Sequence, residues 1–388
     1  MSSNSFPGLY LHIPFCRSKC PYCDFYSVTD LSLVTAWVAA LIKEAAFYRE
    51  KFDGFDTLYL GGGTPSLLTP AQLEALLAAL RRYFHFTSDA EVTLEANPDD
   101  LSREKIAAYQ DLGVNRLSVG IQSFNDRDLT FLGRRHTARQ AVQALEGARA
   151  AGFANLSLDL MYALPGQTEK DWRETLNVAL SFQPEHLSCY QLTVEAGTPL
   201  GERKTRGEFQ AAGEEMEGAL FLLTSEFLED KGYFHYEVSN FAWGKKNCCR
   251  HNLKYWRHVP YLGLGPGAHS FSIVDGEDGA QGAPYIKNGV RWWNQADLEG
   301  YLKALAAGQA PVAGRETLTP EQFRLEILYL GFRTRRGVAL EDLRGYGNWE
   351  TALGDLEEAG LVEVVQGRAQ PTRRGFLVAD GLPLRFGD

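Results

Sequence analysis

The sequence predicts an α/β protein: a partial (β/α)6 barrel with a C-terminal α+β extension that includes a winged-helix-like module. Three observations lead there. Between residue 9 and about 240, six short runs rich in Val, Leu, Ile and Tyr alternate with longer amphipathic stretches. The 388 residues exceed the roughly 250–300 that one hydrophobic core accommodates, so a second region is expected. The tail reads as helices followed by a β-hairpin.

The strands are expected at 9–15, 57–60, 91–95, 116–121, 156–161 and 186–192, most of them ending in Gly, Pro or Asn. Helices are expected at 31–51 and at 70–83, where Pro70 suits the first helical position. Others are expected at 138–151, ended by Gly152, at 169–182, and at 214–231, ended by Gly232. Short links between strand and helix imply right-handed βαβ units and a parallel sheet. Six units are too few for a closed eight-stranded barrel, so the barrel should be open. Its functional residues should then cluster at the C-terminal ends of the strands.

Beyond residue 240 the pattern changes. Residues 241–271 are aromatic and Gly-rich, and 275–290 read as loop. Helices are expected near 295–307, 320–330 and 349–359, then strands at 361–365 and 370–378 around a turn at Gln366-Gly367. This suggests three parts: a barrel over 1–240, a connecting region over 241–310 and the winged-helix-like part over 311–388. Residues 1–7 read as a loose terminus.

Composition narrows the function. A hydrophobic fraction of 45% supports a packed core, and a net charge of −10 argues against general nucleic-acid binding, which needs a basic surface. The tail does carry Arg333, Arg335, Arg336, Arg373 and Arg374. Its bland reading is a packing or partner-contact module, and the other is a nucleic-acid binder. No apolar stretch approaches a membrane span. With six cysteines and no apolar leader, the thiols are expected to stay reduced in a cytoplasmic protein.

The sharpest motif is Cys16-Arg-Ser-Lys-Cys20-Pro-Tyr-Cys23, at the end of the first strand. Iron–sulfur clusters are held by cysteine thiolates, normally four. Three would leave one iron open to a ligand, as catalytic zinc sites keep an open position. A zinc site with His12 as fourth ligand is the alternative, although the usual distant second cysteine pair is missing. Cysteines without metal are the third reading. Gly61-Gly62-Gly63-Thr64-Pro65 follows the second strand and is either a tight turn or a ligand cradle. Glu95 and Gln122 end strands, and Asp159 lies inside an apolar one, where an acid needs a partner or a ligand. Arg134 is either a carboxylate-binding fork or a surface charge.

Together these pieces resemble the radical S-adenosylmethionine (SAM) superfamily, in which a Cys-x3-Cys-x2-Cys loop holds a [4Fe–4S] cluster on a partial barrel. The resemblance implies that the cluster's open iron chelates SAM and that an electron from the cluster cleaves it to a 5′-deoxyadenosyl radical. Tyr10-Leu-His12-Ile-Pro-Phe-Cys16, Glu95-Ala-Asn97-Pro98, Gly120-Ile-Gln122-Ser123-Phe124 and the stretch from Asp159 to Thr168 look like the coproporphyrinogen dehydrogenase branch. It covers residues 8–380 and puts Tyr10, Tyr22, Gly62, Gly63, Thr64, Glu95, Gln122, Arg134 and Asp159 on SAM-contacting positions.

Within that branch the chain is more similar to heme chaperones than to the decarboxylase. Phe25 stands where the decarboxylase has a further cysteine, the decarboxylase's N-terminal extension is missing, and the total length agrees. His251-Asn252-Leu-Lys-Tyr255-Trp256 looks like the heme-binding motif of the chaperones. Histidine is a common axial ligand of heme, Tyr255 and Trp256 offer flat apolar surface, and Arg250 and Lys254 suit propionates. A satisfied histidine among core aromatics is the bland reading. Cys248-Cys249 supply thiols that compete with His251 for iron, and the role of His269 is open. The resemblance implies a cluster, SAM and heme as cofactors, with heme-accepting apoproteins and a flavodoxin- or ferredoxin-like electron donor as partners. The chain would act as a monomer or dimer in the cytoplasm, with at most peripheral contact to the inner membrane. An oxygen-independent coproporphyrinogen III oxidase is the alternative function.

Overall fold

The computed structural model describes residues 6–275 and 287–387. Strands and helices alternate as β1 (Gly8–Ile13), α1 (Val34–Ala46), β2 (Phe55–Gly62), α2 (Pro70–Tyr83), β3 (Phe86–Ala96), α3 (Arg103–Asp111) and β4 (Arg116–Gln122). Next come α4 (Asp126–Phe131), α5 (Ala138–Ala150), β5 (Leu156–Tyr162), α6 (Glu169–Ser181), β6 (His186–Gln191) and α7 (Pro199–Thr205). Then follow α8 (Glu214–Asp230), β7 (Tyr233–Glu237), β8 (Asn240–Trp243), α9 (Arg250–Trp256), β9 (Tyr261–Leu264), β10 (His269–Asp275) and β11 (Lys287–Asn294). The chain ends with α10 (Leu298–Ala306), β12 (Val312–Thr317), α11 (Pro320–Phe332), β13 (Val338–Ala339), α12 (Leu340–Leu343), α13 (Trp349–Glu358), β14 (Val362–Val365), β15 (Arg368–Pro371) and α14 (Arg373–Leu377). Two compact units form. The first holds residues 1–212, 261–270 and 292–315, and the second holds 213–260, 271–291 and 316–388.

In the first unit β1 to β6 pair in parallel and in sequence order, and β9 adds in parallel to the free side of β1. The six strands come where the sequence puts them, because each has a period of two with an apolar side. Leu9, Leu11 and Ile13 of β1, Leu58 and Leu60 of β2, Leu117, Val119 and Ile121 of β4, and Leu156, Leu158 and Leu160 of β5 are buried. The helices bury matching stripes, such as Leu73, Leu76, Leu77 and Leu80 of α2. The opposite face of the strands is polar: Tyr10, His12, Tyr59, Glu95, Arg116, Ser118, Ser157, Asp159, His186 and Ser188 alternate with the leucines.

The structure departs from or adds to the sequence expectations at several places. The helix read at 31–51 is a 3-10 turn (Leu31–Leu33) capped by Asp30, followed by the shorter α1. Helices α3, α4 and α7 escape sequence reading because each has nine residues or fewer, too short for a clear period. The Gly-rich stretch 241–271 holds β8, α9, β9 and the start of β10. Gly263 is a packing requirement, since a Cβ there would stand 2.1 Å from the His269 carbonyl oxygen.

In the second unit α8 precedes the antiparallel hairpin β7–β8. Helices α11, α12 and α13 with the antiparallel sheet β13-β15-β14 make the winged-helix-like module. Its core contains Leu328, Phe332, Leu343, Leu353, Leu356, Val362 and Phe386. The wing turns at Gln366 (φ 50°) and Gly367 (φ 74°), the two positive-φ positions of a tight hairpin. The strand expected at 370–378 stops at Pro371, and Thr372 caps α14 by accepting from the Gly375 amide over 3.0 Å. Of the expected loop at 275–290, residues 276–286 lie outside the described residues, and 287–290 belong to β11. Residues 1–5 of the expected loose terminus also lie outside.

One buried acid ties the edge of the first unit together. Glu44 of α1 is fully buried and accepts from the Gly265 amide (2.8 Å), the Tyr301 hydroxyl (2.6 Å) and Asn294 Nδ2 (2.5 Å). Burial pushes its carboxyl up to about 7, against the pull of these donors. The folded chain therefore holds a proton there that the unfolded chain has already lost, across the window from about 4.5 to 7. Folding stability should fall as pH rises through that window. Urea midpoints at pH 5 and pH 8 should differ less in Glu44→Gln than in the wild type, and equal slopes would refute the assignment.

Candidate functional site

Because β1 to β6 run in parallel, their C-terminal ends share one edge, and the predicted cysteines, glycines, Glu95, Gln122 and Arg134 lie at or next to it, with Tyr10 and Asp159 within the strands. The loop from Cys16 returns to β1: the Cys16 amide donates to the Val28 carbonyl (2.9 Å), and the Val28 amide to that of Pro14 (2.7 Å). His12 braces this loop. Its Nε2 lies 2.9 Å from the Tyr26 carbonyl, which only accepts, so Nε2 carries the proton. Nδ1 is then the acceptor for the Tyr10 hydroxyl at 3.3 Å. Burial lowers the imidazole's pKa. Both nitrogens are engaged, which leaves His12 as a structural brace and not the fourth ligand of a zinc site.

Cys16, Cys20 and Cys23 are free thiols of intermediate exposure. Burial pushes the Cys23 thiol up, and Cys20 and Cys16 are near enough to add to the effect. Among the described residues no three His, Cys, Asp or Glu side chains group around one metal ion. A cubane does not require that grouping, since each cysteine binds a different iron. The Thr64 hydroxyl reaches Cys16 Sγ at 3.5 Å, and Arg134 Nη1 reaches Cys20 Sγ at 3.7 Å. Arg134 also donates to the Gly120 carbonyl (2.7 Å) and to Asn97 Oδ1. Burial opposes its charge, but Tyr22 and Cys20 hold the proton on. Its Nε is buried with no partner, a donor left for an anionic group.

The acids of the polar face are raised. Glu95 accepts from the Tyr59 hydroxyl (2.8 Å) and the Gly62 amide (3.3 Å), and burial pushes it up to about 7. Asp159 is pushed up to about 6 by burial, against hydrogen bonds from Ser188 and Ser118 and the charges of Arg116 and Arg134. Gln122 sits in the left-handed region (φ 66°), at a shift in the β4–β5 register that turns its side chain out of the strand pattern. Sequence reading assigned no part to Tyr59, Arg116, Ser118 or Ser188, because single polar residues in strands carry no signal until the register aligns them. Asn97 was visible only as one letter of a motif.

The glycine run is shaped by protein atoms. A Cβ on Gly61 would meet Tyr59 at 2.9 Å and Glu95 Oε1 at 3.1 Å, and one on Gly63 would meet the carbonyl oxygens of Phe15 (2.7 Å) and Ile13 (2.9 Å). Gly62 has φ +107°. Gly61 and Gly62 are the last residues of β2, paired with His12 and Ile13 of β1, and the chain leaves the sheet at Gly63, with Gly62's amide and the Thr64 hydroxyl placed at the site. Gly63→Ala has only backbone to push against, so it should lose about 1–3 kcal/mol of stability in urea unfolding. An unchanged midpoint would contradict this packing.

The His251 segment lies in the second unit and is helical, as α9. His251 is buried, and its Nε2 pairs with the Tyr255 hydroxyl at 2.9 Å, one turn on. Lys254 is also buried, on the same side of the helix three residues along. Asn252, Tyr255 and Trp256 are half-buried. Arg333 lies 5.4 Å from the Trp256 ring, and Trp256 Nε1 is buried without a partner. Cys248 and Cys249 are buried, Cys248 among Tyr236 and Ala242 and Cys249 at the N-cap of α9. His269, in the first unit, stacks on Trp293.

Residues 10–179 match the radical SAM superfamily and residues 318–378 the HemN C-terminal domain. The chain is 37% identical over 350 residues to the heme chaperone HemW of Synechocystis, covering 88% of this chain and 82% of that one. It is 35% identical over 381 residues to HemW of Bacillus subtilis, covering 96% of each. The solved structure of coproporphyrinogen III oxidase (HemN) from Escherichia coli superposes with a TM-score of 0.80 at 23% identity, covering 98% of this chain and 90% of that one, a likeness of fold. On length and identity together, this chain belongs to the HemW family of radical SAM proteins.

Proposed function

We propose that this chain is a heme chaperone, binding heme at α9 through His251 and delivering it to heme-accepting apoproteins. The observation that carries the reading is the near full-length match to proteins named heme chaperones, and the resemblance of His251-Asn252-Leu-Lys-Tyr255-Trp256 to a heme-binding motif supports it.

Membership of the radical SAM family implies a [4Fe–4S] cluster and SAM. Cys16, Cys20 and Cys23 suit the cluster: three free thiols on one loop, two of them receiving hydrogen-bond donors. When bound, the cluster supplies single electrons to SAM. Tyr10, Tyr22, Gly62, Gly63, Thr64, Glu95, Gln122, Arg134 and Asp159 would hold SAM, with the orphan Arg134 Nε facing its carboxylate and the Glu95 carboxyl its amine. The electron donor would be flavodoxin- or ferredoxin-like. No described helix is long and apolar enough to cross a membrane. The chaperone would work in the cytoplasm with at most peripheral membrane contact.

Iron ligation by His251 Nε2 requires the Tyr255 hydroxyl to leave it. That sets two expectations for an anaerobic heme titration followed at the Soret band. His251→Ala should weaken binding or change the spectrum. Tyr255→Phe keeps the ring and removes the competing hydrogen bond of about 0.5–1.5 kcal/mol, so it should tighten binding roughly two- to tenfold. Heme binding that neither variant alters would move the ligand elsewhere, with Cys248 the first thiol to test. No stoichiometric heme binding at all would return the function to porphyrinogen decarboxylation.

A further inference from the structure

Asn97 stands between two donors aimed at cysteine sulfurs. Its Oδ1 accepts from Arg134 Nη2, and its Nδ2 donates to Thr64 Oγ1 over 3.3 Å. Thr64 Oγ1 reaches Cys16 Sγ at 3.5 Å, and Arg134 Nη1 reaches Cys20 Sγ at 3.7 Å. The chemistry leaves one direction for each bond. A guanidinium only donates, so the amide oxygen faces Arg134 and the amide nitrogen faces Thr64. The threonine oxygen therefore accepts from Asn97, and its single proton is left for Cys16. Asn97 is itself anchored: its backbone amide donates to Ser66 Oγ (3.2 Å), which donates to the buried Asp100 (3.2 Å).

We propose that Asn97 is a positioning residue that aims Thr64 at Cys16 and Arg134 at Cys20, and so sets the reduction potential of the cluster these cysteines hold. The proposal rests on the cluster reading above. Hydrogen bonds to cluster sulfurs and nearby positive charge favour the reduced form, which carries one more electron. The same amide governs both donors, so its removal disturbs two sulfurs at once, whereas removal of the threonine hydroxyl disturbs one.

The test uses the full chain with its cluster reconstituted anaerobically, iron measured per chain, and a reductive titration followed by electron paramagnetic resonance. Thr64→Val and Asn97→Ala at full iron should both be harder to reduce, Asn97→Ala by up to about tenfold in the reduction equilibrium, about 59 mV for one electron. Thr64→Ser should restore the wild-type potential. The double variant should shift no further than Asn97→Ala alone, because the two residues act through one chain. If Asn97→Ala takes up no iron, the Thr64→Val and Thr64→Ser pair decides: a hydroxyl-dependent potential supports the proposal, and equal potentials overturn it. Wild-type potential in Asn97→Ala at full iron, or additive shifts in the double variant, would also overturn it. A wild-type chain that binds no iron removes the cluster reading, and this inference with it.

Discussion

Each of the six parallel strands has one apolar side and one polar side, and the polar side must be satisfied without bulk water. This constraint organises the first unit. Leucines, valines and isoleucines cover one face of the sheet and supply the burial that holds it together. The other face places Arg116, Glu95, Asp159, Ser118 and Ser188 close enough to bond or attract one another. A buried charge left alone would cost several kcal/mol, so the polar face tolerates acids only because Arg116 and the hydroxyls answer them. Parallel pairing then delivers the loop ends to a single edge.

The same rule explains why the loops at that edge are rigid. His12, Asn97 and Glu44 are each buried or half-buried polar groups whose partners belong to a different segment. His12 fastens the cysteine loop at Tyr26, Asn97 joins the loop after β2 to that after β4, and Glu44 joins α1 to Gly265, Asn294 and Tyr301. Each of these bonds is modest alone, about 1 kcal/mol net for a neutral pair and about 1.5–3 kcal/mol where a charged group takes part. Their effect is on geometry: each links segments that are apart in the chain, and Asn97 holds the two donors that reach two thiols. A site that must hold a metal cluster gains more from such fixed positions than from further apolar burial.

Much of this was legible in the sequence, and what was not had a physical cause. Strand cores 116–121 and 156–161 lie within one residue of the observed strands, because alternation with leucine is a local signal. Strand β3 begins at Phe86, well before the predicted 91, since the exposed Ser88 and Asp89 interrupt the apolar pattern. Gly263 and Gly265 stood out only as part of a Gly-rich stretch: the first lies in β9, and a Cβ on the second would stand 2.4 Å from the His12 carbonyl oxygen. Cys16, Glu95 and Arg134 could be named from the sequence because their residue types suit a chemistry. Asn97 was named only as part of a motif and given no role, because that role consists of the two partners that the fold brings to it.

The second unit obeys a different demand on the proposed reading, since a carrier must release what it binds. His251 and Tyr255 lie one helical turn apart, and their hydrogen bond closes the imidazole nitrogen that iron would need. If the closed form is favoured by about 1 kcal/mol, some four-fifths or more of the molecules are closed, and the apparent affinity for heme falls about fivefold or more. Such a penalty weakens a storage protein but suits a chaperone. It lowers the fraction loaded at a given heme concentration, and on release Tyr255 takes back the nitrogen that heme vacates.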